Sequence, residues 1–207
     1  NADAYETAYS QLNQISTGNI ARLGLLWHMD LPGETNLEAT PLALNGILYF
    51  TGDSANVYAV DGVSGKVLWT YDPESWKANP GKQRAGIRAN RGVSFGDGRI
   101  YLGTRDGRLI ALDPKTGKVI WSVVTVAPDT AETITGVPRF FNGKVVVGSS
   151  GADVGLRGRV AAYDAATGKE VWHFYTAPGT PEENRGDPAQ ELAAATWAGE
   201  YWKTGTG

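Results

Sequence analysis

The sequence contains no cysteine. That excludes a disulfide framework, a thiolate metal site and a haem-attachment motif within it. Histidine is nearly missing as well: His28 and His173 are the only two, and each directly follows a tryptophan. No His-rich metal site and no Ser-His-Asp pattern emerges from them, and a strand position suits both better than a catalytic one. Apolar runs are short, so no membrane span is expected. Lys and Arg are scattered and the net charge is −3, which argues against a nucleic-acid surface. Asn1 opens no signal-peptide pattern.

Glycine and tryptophan are plentiful, at 27 and 7 residues of 207. Together they favour many short strands joined by tight turns, with large aromatic plugs between layers. Three segments repeat: VYAVDGVSGKVLWTYD (Val57 to Asp72), LIALDPKTGKVIWSVV (Leu109 to Val124) and VAAYDAATGKEVWHFY (Val160 to Tyr175). Each reads apolar strand, Asp, turn residues ending in Ser or Thr before Gly, Lys, then a strand bearing Trp. Asp61, Asp113 and Asp164 can accept hydrogen bonds from turn amides. Gly65, Gly117 and Gly168 supply the positive φ that closes a tight hairpin.

A weaker copy ends at Trp27, so a leading strand is expected near Leu23 to Leu31. The tryptophans step by 42, 52 and 51 residues from Trp27 through Trp69 and Trp121 to Trp172, the period of one four-stranded propeller blade. An earlier hairpin precedes each repeat, turning at Asn45-Gly46, Asp97-Gly98 and Asn142-Gly143. The expected fold is all-β: a partial β-propeller of four-stranded, tryptophan-motif blades. It forms one domain over 1–207 with about three full blades and flanking strands. Non-repeating inserts fall near 73–89 and 176–195, the second with a short helix over Pro188 to Ala195. Long loops on a regular scaffold often carry function.

These repeats resemble those of the pyrroloquinoline-quinone (PQQ) dependent alcohol dehydrogenases, quinoproteins and quinohaemoproteins whose full propeller has eight blades. The most specific match is GSSGADVGLRGRV (Gly148 to Val160), where the family carries Gly-x-Ser-Gly-Ala-Glu-x-Gly-x-Arg-Gly. The resemblance implies cofactor contacts from Ser150 and from the backbone at Ala152. It places Asp153 on the family's metal-ligating glutamate, beside Ca²⁺ or a lanthanide; oxygen donors suit such ions, although Asp is one methylene shorter. It further implies that Glu38 lies near the quinone, that Arg91 pairs with the cofactor and that Thr135 hydrogen-bonds it. Taken singly, Glu38 also reads as a solvated loop carboxylate, Arg91 and Arg157 as structural arginines, and Thr135 and Ser150 as blade-closing residues. The case for a pocket is their joint position at one end of successive blades.

Two departures stand out. Many members carry adjacent cysteines where this chain has Ala85-Gly86, so a disulfide lid is absent or replaced. The family's catalytic aspartate, the base, matches nothing before Gly207, so no catalytic residue is assigned here. By resemblance, the parent enzyme oxidises an alcohol in the periplasm and passes electrons to a cytochrome c or a fused haem domain. Three blades cannot close a ring, so another chain or a second copy is expected to complete it. The rival reading is a non-catalytic propeller scaffold that binds proteins.

Overall fold

The computed structural model describes residues 11–78, 88–127, 130–151 and 155–203. Residues 1–30 form a unit of their own, whose described part contains one 3₁₀ turn, Ile20–Arg22. The second unit, Leu31–Gly207, holds three four-stranded antiparallel meanders. The first is β1 (Leu42–Leu44), β2 (Ile47–Thr51), β3 (Val57–Asp61) and β4 (Val67–Tyr71). The second is β5 (Ser94–Gly96), β6 (Arg99–Gly103), β7 (Arg108–Leu112) and β8 (Val119–Val124). The third is β9 (Arg139–Phe141), β10 (Lys144–Gly148), β11 (Arg159–Asp164) and β12 (Glu170–Tyr175). Short helices follow two of the sheets: α1 (Ser75–Ala78), α2 (Pro181–Asn184) and α3 (Pro188–Ala194).

The leading strand expected near Leu23 to Leu31 is not formed, and His28 therefore has no strand position. An outer propeller strand exists only as a rung of a ladder, and none of the three sheets has a fifth rung.

Local chemistry dictates each blade. The first hairpin of every sheet needs positive φ at both turn residues. Asn45 and Gly46 (50° and 80°), Asp97 and Gly98 (49° and 73°), and Asn142 and Gly143 (45° and 72°) adopt it, the conformation of a type I′ turn. The last hairpin is held by its aspartate. Asp164 Oδ1 accepts from the amides of Ala166 and Thr167 and from the Thr167 hydroxyl, at 3.1, 2.9 and 2.7 Å. Asp61 and Asp113 repeat the pattern with Ser64 and Thr116.

In all three turns the Ser or Thr hydroxyl leads in pulling the aspartate pKa below its ordinary value. A carboxylate with a depressed folded pKa stabilises the fold above its unfolded pKa, and the contribution disappears as pH falls through the folded one. The melting temperature is therefore expected to drop as pH falls below about 4, the ordinary aspartate value. Replacing Ser64, Thr116 and Thr167 together by alanine should flatten that slope in a thermal-denaturation series, and an unchanged slope would refute the assignment.

The core lies between sheets. One cluster joins Tyr49, Val57 and Ala59 of the first sheet to Ile100, Leu102, Ile110 and Leu112 of the second. The next joins Tyr101, Leu109 and Ala111 to Val145, Val147, Ala161 and Tyr163 of the third. The outer tryptophans of the first two sheets dock on the following blade. Trp69 Nε1 donates to the Pro114 carbonyl at 3.0 Å, and Tyr49 Oη donates to the same oxygen at 3.0 Å. Trp121 and Tyr101 treat Ala165 alike, at 3.1 and 3.3 Å. One carbonyl thus receives two donors at each interface. The third sheet has Val146 where the others have Tyr49 and Tyr101. Its forward face is uncovered: Trp172 is 43% exposed, Phe174 45% and Phe141 70%.

Candidate functional site

The segments leading into β1, β5 and β9 run side by side. Thr40 N donates to Arg91 O at 3.3 Å, and Arg91 N donates to Thr135 O at 3.0 Å. The loop after β10 doubles back so that Ser150 and Thr133 exchange backbone hydrogen bonds of 2.8 and 3.2 Å. These ties bring four separate parts of the chain to one edge.

Their side chains form a continuous row. Glu38 Oε2 lies 3.2 Å from Arg91 Nη2. Arg91 Nη1 donates to Thr135 Oγ1 at 2.8 Å, and Thr135 Oγ1 lies 3.0 Å from Ser150 Oγ. The structure therefore unites Glu38, Arg91, Thr135 and Ser150, residues that the sequence scatters over more than half its length. Thr135 and Ser150 carry two hydroxyl hydrogens between them, and their mutual bond uses one. The other is left to donate outward. The Arg91 side chain is half exposed, and only two of its five N–H donors are engaged by Glu38 and Thr135. The row thus presents a guanidinium and a hydroxyl donor to anything seated against it, with a carboxylate at one end.

Ala152 and Asp153 lie outside the described residues, as do Ala85 and Gly86. Arg157, inside the same glycine-rich motif, is structural. It donates to the Ala177 carbonyl at 2.7 Å and to Gln190 Oε1 at 2.8 Å, and its guanidinium carbon sits 3.9 Å from the Tyr175 ring centroid.

Sequence reasoning missed the residues behind the row. Asn90 is 1% exposed. Its Oδ1 accepts from Thr51 Oγ1 at 2.8 Å and from Gly92 N at 3.0 Å, while Nδ2 donates to Gly103 O at 2.8 Å. It bolts the backbone on both sides of Arg91. An amide directly before an arginine, in an otherwise small-residue segment, was the available signal.

Asp53, with no exposed surface, was also missed. Burial opposes its charge, but hydrogen bonds from Thr35 and Ser54 outweigh that and hold its pKa at about 2. Arg105 is 4% exposed in the β6–β7 turn. Burial and the neighbouring Arg88 charge lower its pKa, while Asp53 pushes the other way.

The profile of the PQQ glucose/ethanol/alcohol dehydrogenase β-propeller domain matches residues 1–206. The quinohemoprotein alcohol dehydrogenase ADH IIB of Pseudomonas putida is 49% identical over 98% of this chain, which covers 29% of that protein. The Comamonas testosteroni quinohemoprotein alcohol dehydrogenase is 41% identical over 99% of the chain and 29% of the relative. Its crystal structure superposes with a TM-score of 0.90 over 98% of this chain and 31% of that one. A europium-containing methanol dehydrogenase gives a TM-score of 0.81 at 36% identity, over 95% of this chain and 36% of its own. The chain thus spans about three-tenths of the length of the curated relatives it matches. Three unclosed meander sheets, a polar row at one edge and a family match along almost every residue lead to one assignment: the chain belongs to the PQQ-dependent glucose/ethanol/alcohol dehydrogenase family and forms part of its β-propeller domain.

Proposed function

We propose that this chain supplies one wall of the PQQ pocket of a dehydrogenase that oxidises an alcohol. The observation that carries the reading is the hydrogen-bonded row from Glu38 through Arg91 and Thr135 to Ser150. PQQ is a planar tricarboxylate with a quinone, and a guanidinium beside an outward hydroxyl donor is the donor set such an anion needs. The residues present therefore fit the group.

When bound, PQQ supplies the two-electron acceptor for the alcohol's hydride equivalent. Arg91 binds carboxylate or quinone oxygen and keeps its orientation through Glu38 and Thr135. Thr135 and Ser150 would fix the edge of the ring by donating the remaining hydroxyl hydrogen, and by resemblance Ala152 would add a backbone contact to the cofactor. By resemblance, Asp153 would offer oxygen to a Ca²⁺ or lanthanide ion, whose Lewis acidity would be supplied to the quinone. No residue of this chain is assigned as the proton-abstracting base.

Electrons would pass to a cytochrome c or a fused haem domain, and the site of action would be the periplasm. Among the described residues no helix is long and apolar enough to cross a membrane. The uncovered Trp172 face supports a partner, either another chain or a second copy, that completes the ring. A purely scaffolding propeller is not favoured, because relatives named as alcohol dehydrogenases match nearly the whole chain at 41–49% identity.

Titrating the full chain with PQQ in the presence of Ca²⁺, and following the quinone absorbance, tests this. Arg91→Ala is expected to weaken binding about 100-fold and Arg91→Lys about tenfold, because lysine keeps the charge but not the planar fork. Saturable binding that ignores both substitutions, or no binding by the wild type, would overturn the proposal.

A further inference from the structure

Glu38 sits at the end of an irregular segment, so something must hold that segment still. Four residues earlier, Glu34 turns its carboxylate onto the β2–β3 loop. Oε2 accepts from the Asp53 amide at 2.7 Å, and Oε1 accepts from Asn56 Nδ2 and Tyr58 Oη, both at 3.0 Å. Asp53 answers in the opposite direction. Its Oδ2 accepts from the Thr35 amide at 2.9 Å and the Thr35 hydroxyl at 2.8 Å. Each carboxylate thus grips the other segment's backbone, a reciprocal clasp of two segments 18 residues apart.

The loop is shaped for it. A Cβ on Gly52 would fall 2.0 Å from the Glu34 carboxyl carbon, so only glycine leaves that carboxylate its seat. One residue past the clasp, Asn36 Nδ2 donates to Glu38 Oε1 at 2.8 Å and to the Arg88 carbonyl at 2.7 Å. Glu38 then meets Arg91 with its other oxygen.

We propose that Glu34 and Asp53 are positioning residues that hold Glu38, through Asn36, within reach of Arg91. Neither touches the polar row itself. Asp53 stays ionised through the physiological range because the Thr35 and Ser54 hydrogen bonds outweigh its burial. As a device for cofactor binding, the clasp rests on the PQQ reading given above. As a restraint on residues 34–38, it does not.

Two measurements on the full chain separate these. The first is amide hydrogen exchange without PQQ. Asp53→Asn removes the Thr35 acceptor charge. Gly52→Ala displaces the Glu34 carboxylate while altering no polar group, and Gly52 has no positive φ to strain. Both are expected to raise exchange about tenfold at the amides that this segment protects, those of Thr35 and Thr40, while leaving β2 unchanged. Equal protection in wild type and both variants would overturn the clasp.

The second is a double-mutant cycle read as PQQ affinity. Asp53→Asn alone is expected to weaken binding about tenfold, but less than about twofold in a Glu38→Gln background, because its effect passes through Glu38. The same loss in both backgrounds would overturn the positioning role. Absence of PQQ binding by the wild type would sink the functional reading, and the exchange result would still decide the clasp.

Discussion

Replacing Asn90 by alanine is expected to cost about 3 kcal/mol of stability and to weaken PQQ binding although Asn90 never reaches the polar row. Its amide closes three hydrogen bonds in a site that is 1% exposed. The Thr51 hydroxyl can rotate toward another acceptor. The Gly92 amide and the Gly103 carbonyl cannot, and each buried backbone group left without a partner costs about 1–3 kcal/mol. Gly92 compounds the effect. It is held at φ 116°, and a Cβ there would lie 3.1 Å from the Thr40 carbonyl, so the backbone beside Arg91 has little room to relax.

Asn90→Asp separates geometry from chemistry. It keeps the acceptors for Thr51 and Gly92 but turns a carboxylate oxygen toward the Gly103 carbonyl. That variant should be destabilised at pH 7 and recover as pH falls toward about 5, because the protonated acid can again donate. Urea midpoints across that range check both statements. A loss under about 1 kcal/mol for alanine, or no recovery for aspartate, would remove Asn90 from its assigned role.

The blades were legible because their determinants are local. Asn-Gly and Asp-Gly turns, the Asp-x-x-Ser/Thr-Gly hairpin and alternating apolar residues lie within a few positions of one another, so twelve strands follow from short-range chemistry. The second donor on each docking carbonyl was not legible. Tyr49 reaches Pro114 across 65 residues, and nothing in the first strand of a hairpin announces that reach.

The strand near Leu23 to Leu31 was misread for the opposite reason. The segment has strand composition, but a strand also requires a hydrogen-bonded neighbour, which composition does not reveal. The polar row was legible only through resemblance, since Glu38, Arg91, Thr135 and Ser150 share no spacing. Glu34, Asp53 and Asn90 belong to no motif, and the partners that tie them to other segments lie 13 to 39 residues away. Support behind a site is the part of a fold that a linear reading sees least.

The largest purely structural effect is expected at Gly168. Alanine there meets two penalties that can be measured apart. Its φ of 74° costs a residue with a Cβ about 1 kcal/mol. The new methyl would also stand 2.8 Å from Trp121 Cε3 and 3.0 Å from Val123 Cγ1. The indole cannot retreat without giving up its bond to the Ala165 carbonyl, its tilted contact with Tyr101 at 5.9 Å and part of the core between the second and third sheets. Overpacking of this kind adds about 1–3 kcal/mol, so Gly168→Ala should lose about 3 kcal/mol in all.

Gly143→Ala isolates the first penalty. Its φ is 72°, and an added Cβ meets nothing within 4 Å, so about 1 kcal/mol is expected. Gly117→Ala should behave like Gly168→Ala, since its Cβ would lie 2.6 Å from Trp69 Cε3. Equal losses for Gly143 and Gly168 in urea denaturation would mean that the tryptophans do not lock one blade to the next. The blade-to-blade register that aligns Glu38, Arg91 and Thr135 would then have to come from the backbone ties alone.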